Sequence, residues 1–123
     1  MLDKVNSEIK NSLGNICYLD KSSQHMYELN NRIRLINVND YMIGNNDQFL
    51  GFVSGIISQD HDLEQMYFDS FLKLSHLETK DIADSIERLQ KLSSKFEVDF
   101  YVSVSLDEHE IPEGLRKYVI VSL

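Results

Sequence analysis

The strongest constraint on the fold is a strict alternation of apolar and polar side chains near the end of the chain, EVDFYVSVSL at residues 97–106. Successive side chains of a β-strand point to opposite faces of a sheet, so this pattern predicts a strand with one buried face and one wet face. Sheets with one solvated face are usually antiparallel, and we therefore predict an antiparallel sheet. The apolar positions are Val98, Phe100, Val102, Val104 and Leu106.

Three other segments have the composition of strands. NICYL at residues 15–19 and RIRLINV at residues 32–38 are rich in β-branched and aromatic side chains. KYVIVSL ends the chain at residues 117–123, after a loop that contains Pro112 and Gly114. Pro and Gly in such a loop predict a long hairpin that pairs the last strand with residues 97–106.

The segment at residues 41–58, YMIGNNDQFLGFVSGIIS, permits two interpretations. Its apolar spacing fits a helix, but Gly51 and Gly55 would each cost about 1 kcal/mol relative to alanine in a helix interior. The preceding GNND is a strong turn signal between two apolar runs. We therefore predict a hairpin here, with a helix over residues 47–58 as the alternative.

Helical periodicity predicts three helices. The first carries an apolar stripe and ends at Gly14, and the second begins at residue 62, where Asp62 and Gln65 match a capping box. The third is capped by Thr79 and runs to about residue 96. Apolar stripes define the first two: Leu2, Val5, Ile9 and Leu13, then Leu63, Met66, Tyr67, Phe71, Leu74 and Leu77.

Length and composition suit one domain with one core, because the chain has 123 residues and is 42% hydrophobic. The sequence thus predicts a single α+β domain over residues 1–123, with an antiparallel sheet of about four to five strands and about three helices packed mainly on one face. It contains neither a secretory signal pattern nor a long apolar span, so a soluble cytoplasmic protein without membrane contact is expected. Cys17 is the only cysteine, which excludes an intrachain disulfide.

Charge is the most informative global property. Twenty acidic and 12 basic residues give a net charge of −8, which repels a nucleic-acid backbone and argues against direct nucleic-acid binding. No lysine or arginine lies between Arg34 and Lys73 or within residues 97–113, although both intervals are rich in acids. If these acids share a face, their field would attract a basic partner and speed its association.

We therefore predict an acidic protein-binding module, such as an immunity protein or antitoxin that covers the active site of a basic toxin nuclease. Tyrosine is a frequent anchor in such interfaces, and carboxylates supply charge complementarity. No catalytic residue, metal or cofactor is expected, and the sequence leaves the oligomeric state open. The predicted partner-binding residues are Asp60, Asp62, Asp99, Tyr101, Ser103, Asp107, Glu108, His109, Glu110 and Glu113.

Two alternatives belong to other classes of function. One is a structural or regulatory subunit that self-associates through a sheet edge or the tyrosine-bearing face. The other is a small metal-dependent hydrolase that uses the neighbouring His61 and Asp62, or the DEHE segment at residues 107–110. The sequence contains no phosphate-binding glycine loop, G-x-S-x-G elbow or H-E-x-x-H motif.

Overall fold

In the computed structural model, the described residues are 1–69, 71–74, 82–104 and 119–122. Within them, five strands form one sheet in which every neighbouring pair is parallel. Across the sheet the order is β2-β1-β3-β4-β5. The strands are β1 (Asn15–Asp20), β2 (Ile33–Asn37), β3 (Leu63–Phe68), β4 (Asp99–Val104) and β5 (Val119–Ser122).

The prediction of a mixed fold with helices and one sheet is confirmed, but the antiparallel sheet is wrong. Parallel neighbours need a crossover, and the crossovers between β2 and β3 and between β3 and β4 are helical. The last strand runs parallel to β4 and does not form a hairpin with it. The polar positions of β4 misled the sequence argument, because Ser103 is buried and Tyr101 half-buried rather than wet.

Within the described ranges, four α-helices flank the sheet, and residues 41–58 do not form the predicted hairpin. The helix over this segment is capped by Asn45, whose side chain accepts a hydrogen bond from the backbone N–H of Gln48 at 2.8 Å. Its apolar stripe is buried, at about 1.5–3 kcal/mol for each large side chain, which outweighs the cost of two glycines. The helices are α1 (Leu2–Glu8), α2 (Asn46–Gln59), α3 (Phe71–Leu74) and α4 (Ile82–Phe96).

The helix predicted to begin at Asp62 is also wrong, because residues 63–68 form the central strand β3. Helices and neighbouring strands cover β3 from both sides, and Met66, Tyr67 and Phe68 are all fully buried. A strand buried on both faces has a nearly continuous apolar run, which resembles a helical stripe over so short a distance. Gln65 accepts a hydrogen bond from the buried Tyr67 hydroxyl at 2.9 Å and caps no helix.

Two clusters of buried side chains pack against the two faces of the sheet. On one face, α2, α3 and α4 meet β1, β3 and β4 around Phe49 and Phe68, whose rings pack edge to face at 6.1 Å. On the other face, the buried side chains include Val5 of α1 and Ile9, the residue after it. The predicted N-terminal helix is present, but it ends at Glu8 rather than at Gly14, and Leu13 is 98% exposed. The predicted helix up to residue 96 is confirmed at its end, and its predicted cap, Thr79, lies outside the described residues.

The connections define a reversal in the sheet. From β1 the chain moves outward to the edge strand β2, and then returns across β1 to β3 on its other side. The carboxyl ends of β1 and β3 therefore lie next to each other where the winding direction changes, which is where open parallel sheets form a crevice. Among the described helices, none is both long and apolar enough to cross a membrane.

Candidate functional site

A row of polar side chains lies at the carboxyl edge of the sheet, at this reversal. Leu19, Phe68 and Val102 are paired across β1, β3 and β4. One residue further along each strand stand Asp20, Asp69 and Ser103. The backbone N–H of Asp69 donates to the carbonyl oxygen of Leu19 at 3.0 Å, which holds the two strand ends in register.

The side chains of this polar row share a face with a row of tyrosines. Side chains alternate along a strand, so Asp20, Asp69 and Ser103 lie two residues beyond Tyr18, Tyr67 and Tyr101 on the face that α1 covers. The tyrosine rings stack across the sheet, at 6.1 Å between Tyr18 and Tyr67 and 4.6 Å between Tyr67 and Tyr101. These flat rings form a rigid base for the polar row.

Of the two aspartates in the polar row, Asp20 is the more buried, at 1% exposure. The backbone N–H of Lys21 donates to its Oδ1 at 2.7 Å, and the Nδ1 of His25 lies 2.7 Å from its Oδ2. When Nδ1 carries the ring proton and donates to this carboxylate, the lone pair of Nε2 remains for another group. The Nε2 of Gln24 lies 3.4 Å from that nitrogen.

Asp69 is oriented by the hydroxyl of Tyr18, which donates to its Oδ2 at 2.6 Å. Burial raises the pKa of Tyr18 well above the usual range of a phenol, and the hydrogen bond to Asp69 raises it further. Burial likewise raises the pKa of Tyr67, and neighbouring Tyr101 adds to the shift. Both phenols therefore stay protonated across the physiological range, so Tyr18 remains a hydrogen-bond donor to Asp69.

The polar row opens into a crevice of about 470 Å³, which is also lined by the start of α1 and the segment after β1. Ser103 lines this crevice, although the residue as a whole is only 2% exposed. Among the described residues, its hydroxyl has no hydrogen-bond partner. A hydroxyl at the surface of a crevice without a protein partner is available to a bound ligand or water.

Asp20, His25 and Asp69 form a set that can coordinate a metal ion. Each offers one ligand atom, and these atoms all lie within 4.8 Å of one another. Carboxylate oxygens with an imidazole nitrogen suit first-row cations such as Mn²⁺ and Zn²⁺. Three protein ligands leave coordination positions open toward the crevice, for water or an added ligand.

The structure divides the described members of the predicted partner-binding set between opposite edges of the sheet. Asp60, Asp62 and Asp99 lie at the amino edge, where β3 and β4 begin, whereas Ser103 lies at the carboxyl edge. Tyr101 lies between the edges, with the Nζ of Lys4 4.9 Å from its ring centre. The members outside the described residues are Asp107, Glu108, His109, Glu110 and Glu113.

The acids between Arg34 and Lys73 do not meet on one face either. Asp47 on α2 contacts Arg88 at 2.9 Å, and Glu64 accepts a hydrogen bond from Ser12 at 2.6 Å. Asp60 accepts hydrogen bonds from Asn15 at 3.0 and 3.1 Å and lies 3.8 Å from Arg34. Binding of a basic partner through the predicted set therefore stays a prediction, with three of its acids gathered at the amino edge.

His61 and Asp62, the predicted alternative metal pair, are exposed in the turn before β3. They lie at the edge opposite the cluster of Asp20, His25 and Asp69, the only set of metal-ligating type found among the described residues. A metal-dependent hydrolase centred on His61 and Asp62 therefore stays a prediction without further support from geometry.

Sequence reasoning missed Asp20, His25 and Asp69 as a group. Two similar patterns were available as a signal, because NICYLD and LEQMYFD are both apolar runs that end in aspartate. Treating residues 63–69 as the polar and apolar faces of a helix hid the second pattern. Two buried parallel strands would have placed both aspartates at one edge.

Comparisons of the chain with protein-family models, with curated protein sequences and with solved structures gave no significant match.

Proposed function

We propose that this chain is a metal-binding domain that holds a divalent cation of the Mn²⁺ or Zn²⁺ type through Asp20, His25 and Asp69. The observation that carries the proposal is the convergence of two carboxylates and one imidazole, with ligand atoms within 4.8 Å, at the mouth of a crevice. Asp20 and His25 are five residues apart, whereas Asp69 comes from a distant part of the chain, and its approach to Asp20 depends on the parallel pairing of β1 and β3.

The place of the cluster in the fold supports a ligand-binding role. In open parallel sheets, ligands bind outside the carboxyl ends of the strands, at the point where the strand order reverses. Asp20 is the last residue of β1 and Asp69 directly follows β3, the two strands on either side of that point. Ser103 lines the same crevice, and its hydroxyl, which has no hydrogen-bond partner among the described residues, adds a polar contact for a water or ligand on the cation.

The surroundings of the ligands support cation binding over a purely structural role. Tyr18 holds Asp69 by a hydrogen bond, and the backbone N–H of Lys21 holds Asp20, so both carboxylates are oriented before a cation arrives. A divalent cation would offset the repulsion between the two carboxylates. Its affinity would fall in acid, because protons compete for the ligand atoms.

Titration calorimetry with Zn²⁺ and electron paramagnetic resonance with Mn²⁺ test the proposal on the full chain. We expect one site for each cation, and we expect Asp20→Asn, His25→Gln and Asp69→Asn each to weaken binding by about 10-fold or more. Asp62→Asn is the matched control, since it removes one charge at the opposite edge of the sheet. Wild-type protein that binds neither cation, or Asp62→Asn protein that loses binding as strongly, would contradict the proposal.

Binding to a basic protein is a second proposal. It is supported by the net charge of −8 and by Asp62 and Asp99, which are exposed at the amino edge. This edge is distinct from the metal-ligand cluster, so the two proposals do not exclude each other. If the second holds, association with a basic partner slows steeply as ionic strength rises, because screening weakens the attraction between exposed charges.

A further inference from the structure

A groove lies between α2 and α4, on the face of the sheet opposite the cluster of Asp20, His25 and Asp69. The groove has a volume of about 550 Å³. Its floor is apolar, formed by Leu50 and Leu92, and its α4 wall carries Arg88, Lys91 and Lys95. We call it the α2–α4 groove.

The cations of this wall stand out in an acidic chain. Arg88, Lys91 and Lys95 have spacings of three and four residues, which place them along one side of α4. Arg88 is 2.9 Å from Asp47 and 3.9 Å from Asp84. Among the described residues, neither Lys91 nor Lys95 pairs with a carboxylate, although the Nζ of Lys95 lies 5.5 Å from the ring centre of Phe96. Both ammonium groups can therefore pair with a carboxylate from outside these elements.

On the α2 side, the groove is lined by the small residues Gly51 and Ser54. A β-carbon added at Gly51 would meet no atom within 4 Å, so packing inside the described fold does not require a glycine there. Glycine in a helix interior nevertheless costs about 1 kcal/mol relative to alanine. Because Gly51 has no side chain, another backbone can approach this part of α2 closely.

We propose that the α2–α4 groove binds an acidic amphipathic helix of a partner protein. Carboxylates spaced by one helical turn on the partner face Lys91 and Lys95, its apolar side chains contact Leu50 and Leu92, and its backbone passes over Gly51. Charge complementarity selects this occupant, because the groove is cationic in a chain of net charge −8. Apolar anchors in a groove with polar flanks are the usual way in which proteins bind helices.

The probe is a fluorescein-labelled synthetic helix with a leucine stripe flanked by glutamates, and its match has glutamine at every glutamate. Fluorescence anisotropy at low ionic strength measures binding to the full chain. We expect the glutamate peptide to bind about 5- to 30-fold more tightly than the glutamine peptide, which corresponds to about 1–2 kcal/mol from two surface ion pairs. The double variant Lys91→Glu, Lys95→Glu is expected to remove this preference.

Two matched controls separate the groove from general effects. Lys4→Glu with Lys10→Glu makes the same change in net charge on α1 and the residues after it, and is expected to keep most of the binding. Gly51→Leu fills the groove and is expected to abolish binding, whereas Gly55→Leu, which also has open space but does not line the groove, retains it. Urea unfolding of each variant verifies that the fold is intact.

Three results would overturn the proposal. The first is a glutamate peptide with no binding up to about 1 mM, an affinity of only about −4 kcal/mol. The second is equal loss of binding in the Gly51→Leu and Gly55→Leu variants while both remain folded. The third is tighter binding of a single-stranded oligonucleotide than of the peptide with the same dependence on Lys91 and Lys95, which would assign the groove to nucleic acid.

Discussion

Replacement of Asp69 by asparagine tests whether repulsion between the two carboxylates of the cation site lowers the stability of the fold. The substitution keeps the size of the side chain and an oxygen that accepts from Tyr18, but removes one of two carboxylates whose ligand atoms lie within 4.8 Å. We expect the Asp69→Asn variant to be more stable than the wild type when cations are removed, and less stable when they are present.

The magnitude follows from the distance. Two unit charges 4.8 Å apart repel by about 3.5 kcal/mol at an effective dielectric constant of about 20, and by about 0.9 kcal/mol at about 80. The hydrogen bond from Tyr18 becomes weaker by about 1 kcal/mol when its acceptor loses its charge. The nearby His25 ring and the Lys21 N–H already offset part of the repulsion. The expected net gain is about 1 kcal/mol without cation.

A bound cation reverses which of the two proteins, wild type or Asp69→Asn, is the more stable. At a cation concentration about 100 times the Kd, the wild type gains about 2.7 kcal/mol, whereas a variant without the site gains little. Urea unfolding, followed by circular dichroism with EDTA and then with excess Mn²⁺, measures both states. Asp62→Asn serves as the control, because the same charge is removed from an exposed turn, where changes usually stay within about 0.5 kcal/mol.

Two outcomes would refute the reasoning. If Asp69→Asn lowers the free energy of unfolding in EDTA by more than about 1 kcal/mol, the carboxylate stabilises the fold and the repulsion argument fails. If Mn²⁺ stabilises the wild type and the Asp69→Asn variant equally, the cation binds elsewhere.

The remaining predictions concern the fold. Gly14→Ala is expected to lower the free energy of unfolding by about 1–3 kcal/mol, because the added β-carbon would overlap the Asp62 carbonyl oxygen and the Glu64 side chain. Gly51→Ala places its β-carbon in open space and is expected to leave the stability equal or higher. The midpoints of urea unfolding compare the two variants. Burial raises the pKa of Cys17 from 9.0 to about 11, so folding favours the protonated thiol. The contribution of this thiol to the free energy of unfolding is complete below pH 9 and is lost as the pH rises toward 11. The Cys17→Ala variant should therefore lose about 2 kcal/mol less than the wild type over that interval; equal losses would show that the thiol does not contribute.

Local patterns predicted some elements well. The alternation in residues 97–106 identified β4, and the RIRLINV and NICYL segments identified β2 and β1, since β-branched and aromatic side chains favour strands over a few residues. The amphipathic stripe and ordered charges of α4 also sufficed, because both properties depend on one helix face and its dipole.

Other elements could not be assigned from local patterns. Gly51 and Gly55 weaken α2 locally, and its formation depends on burial of one side against the sheet. The strand β3 has no alternation, because α1 covers one of its faces and the helices of the opposite layer cover the other. The wrong prediction of a helix from residue 62 arose because side chains buried on both faces of a strand were interpreted as one buried face of a helix.

By itself, then, the sequence determined the charge of the molecule, the mixture of helices and strands, and the positions of its clearest elements, because these depend on composition and on short-range periodicity. Only the tertiary structure determined that the strands run parallel and that β1 lies between β2 and β3. That arrangement brings Asp20 and Asp69, 49 positions apart in the chain, to neighbouring strand ends. Strand direction and order depend on which faces are buried by distant segments, and no local pattern records them.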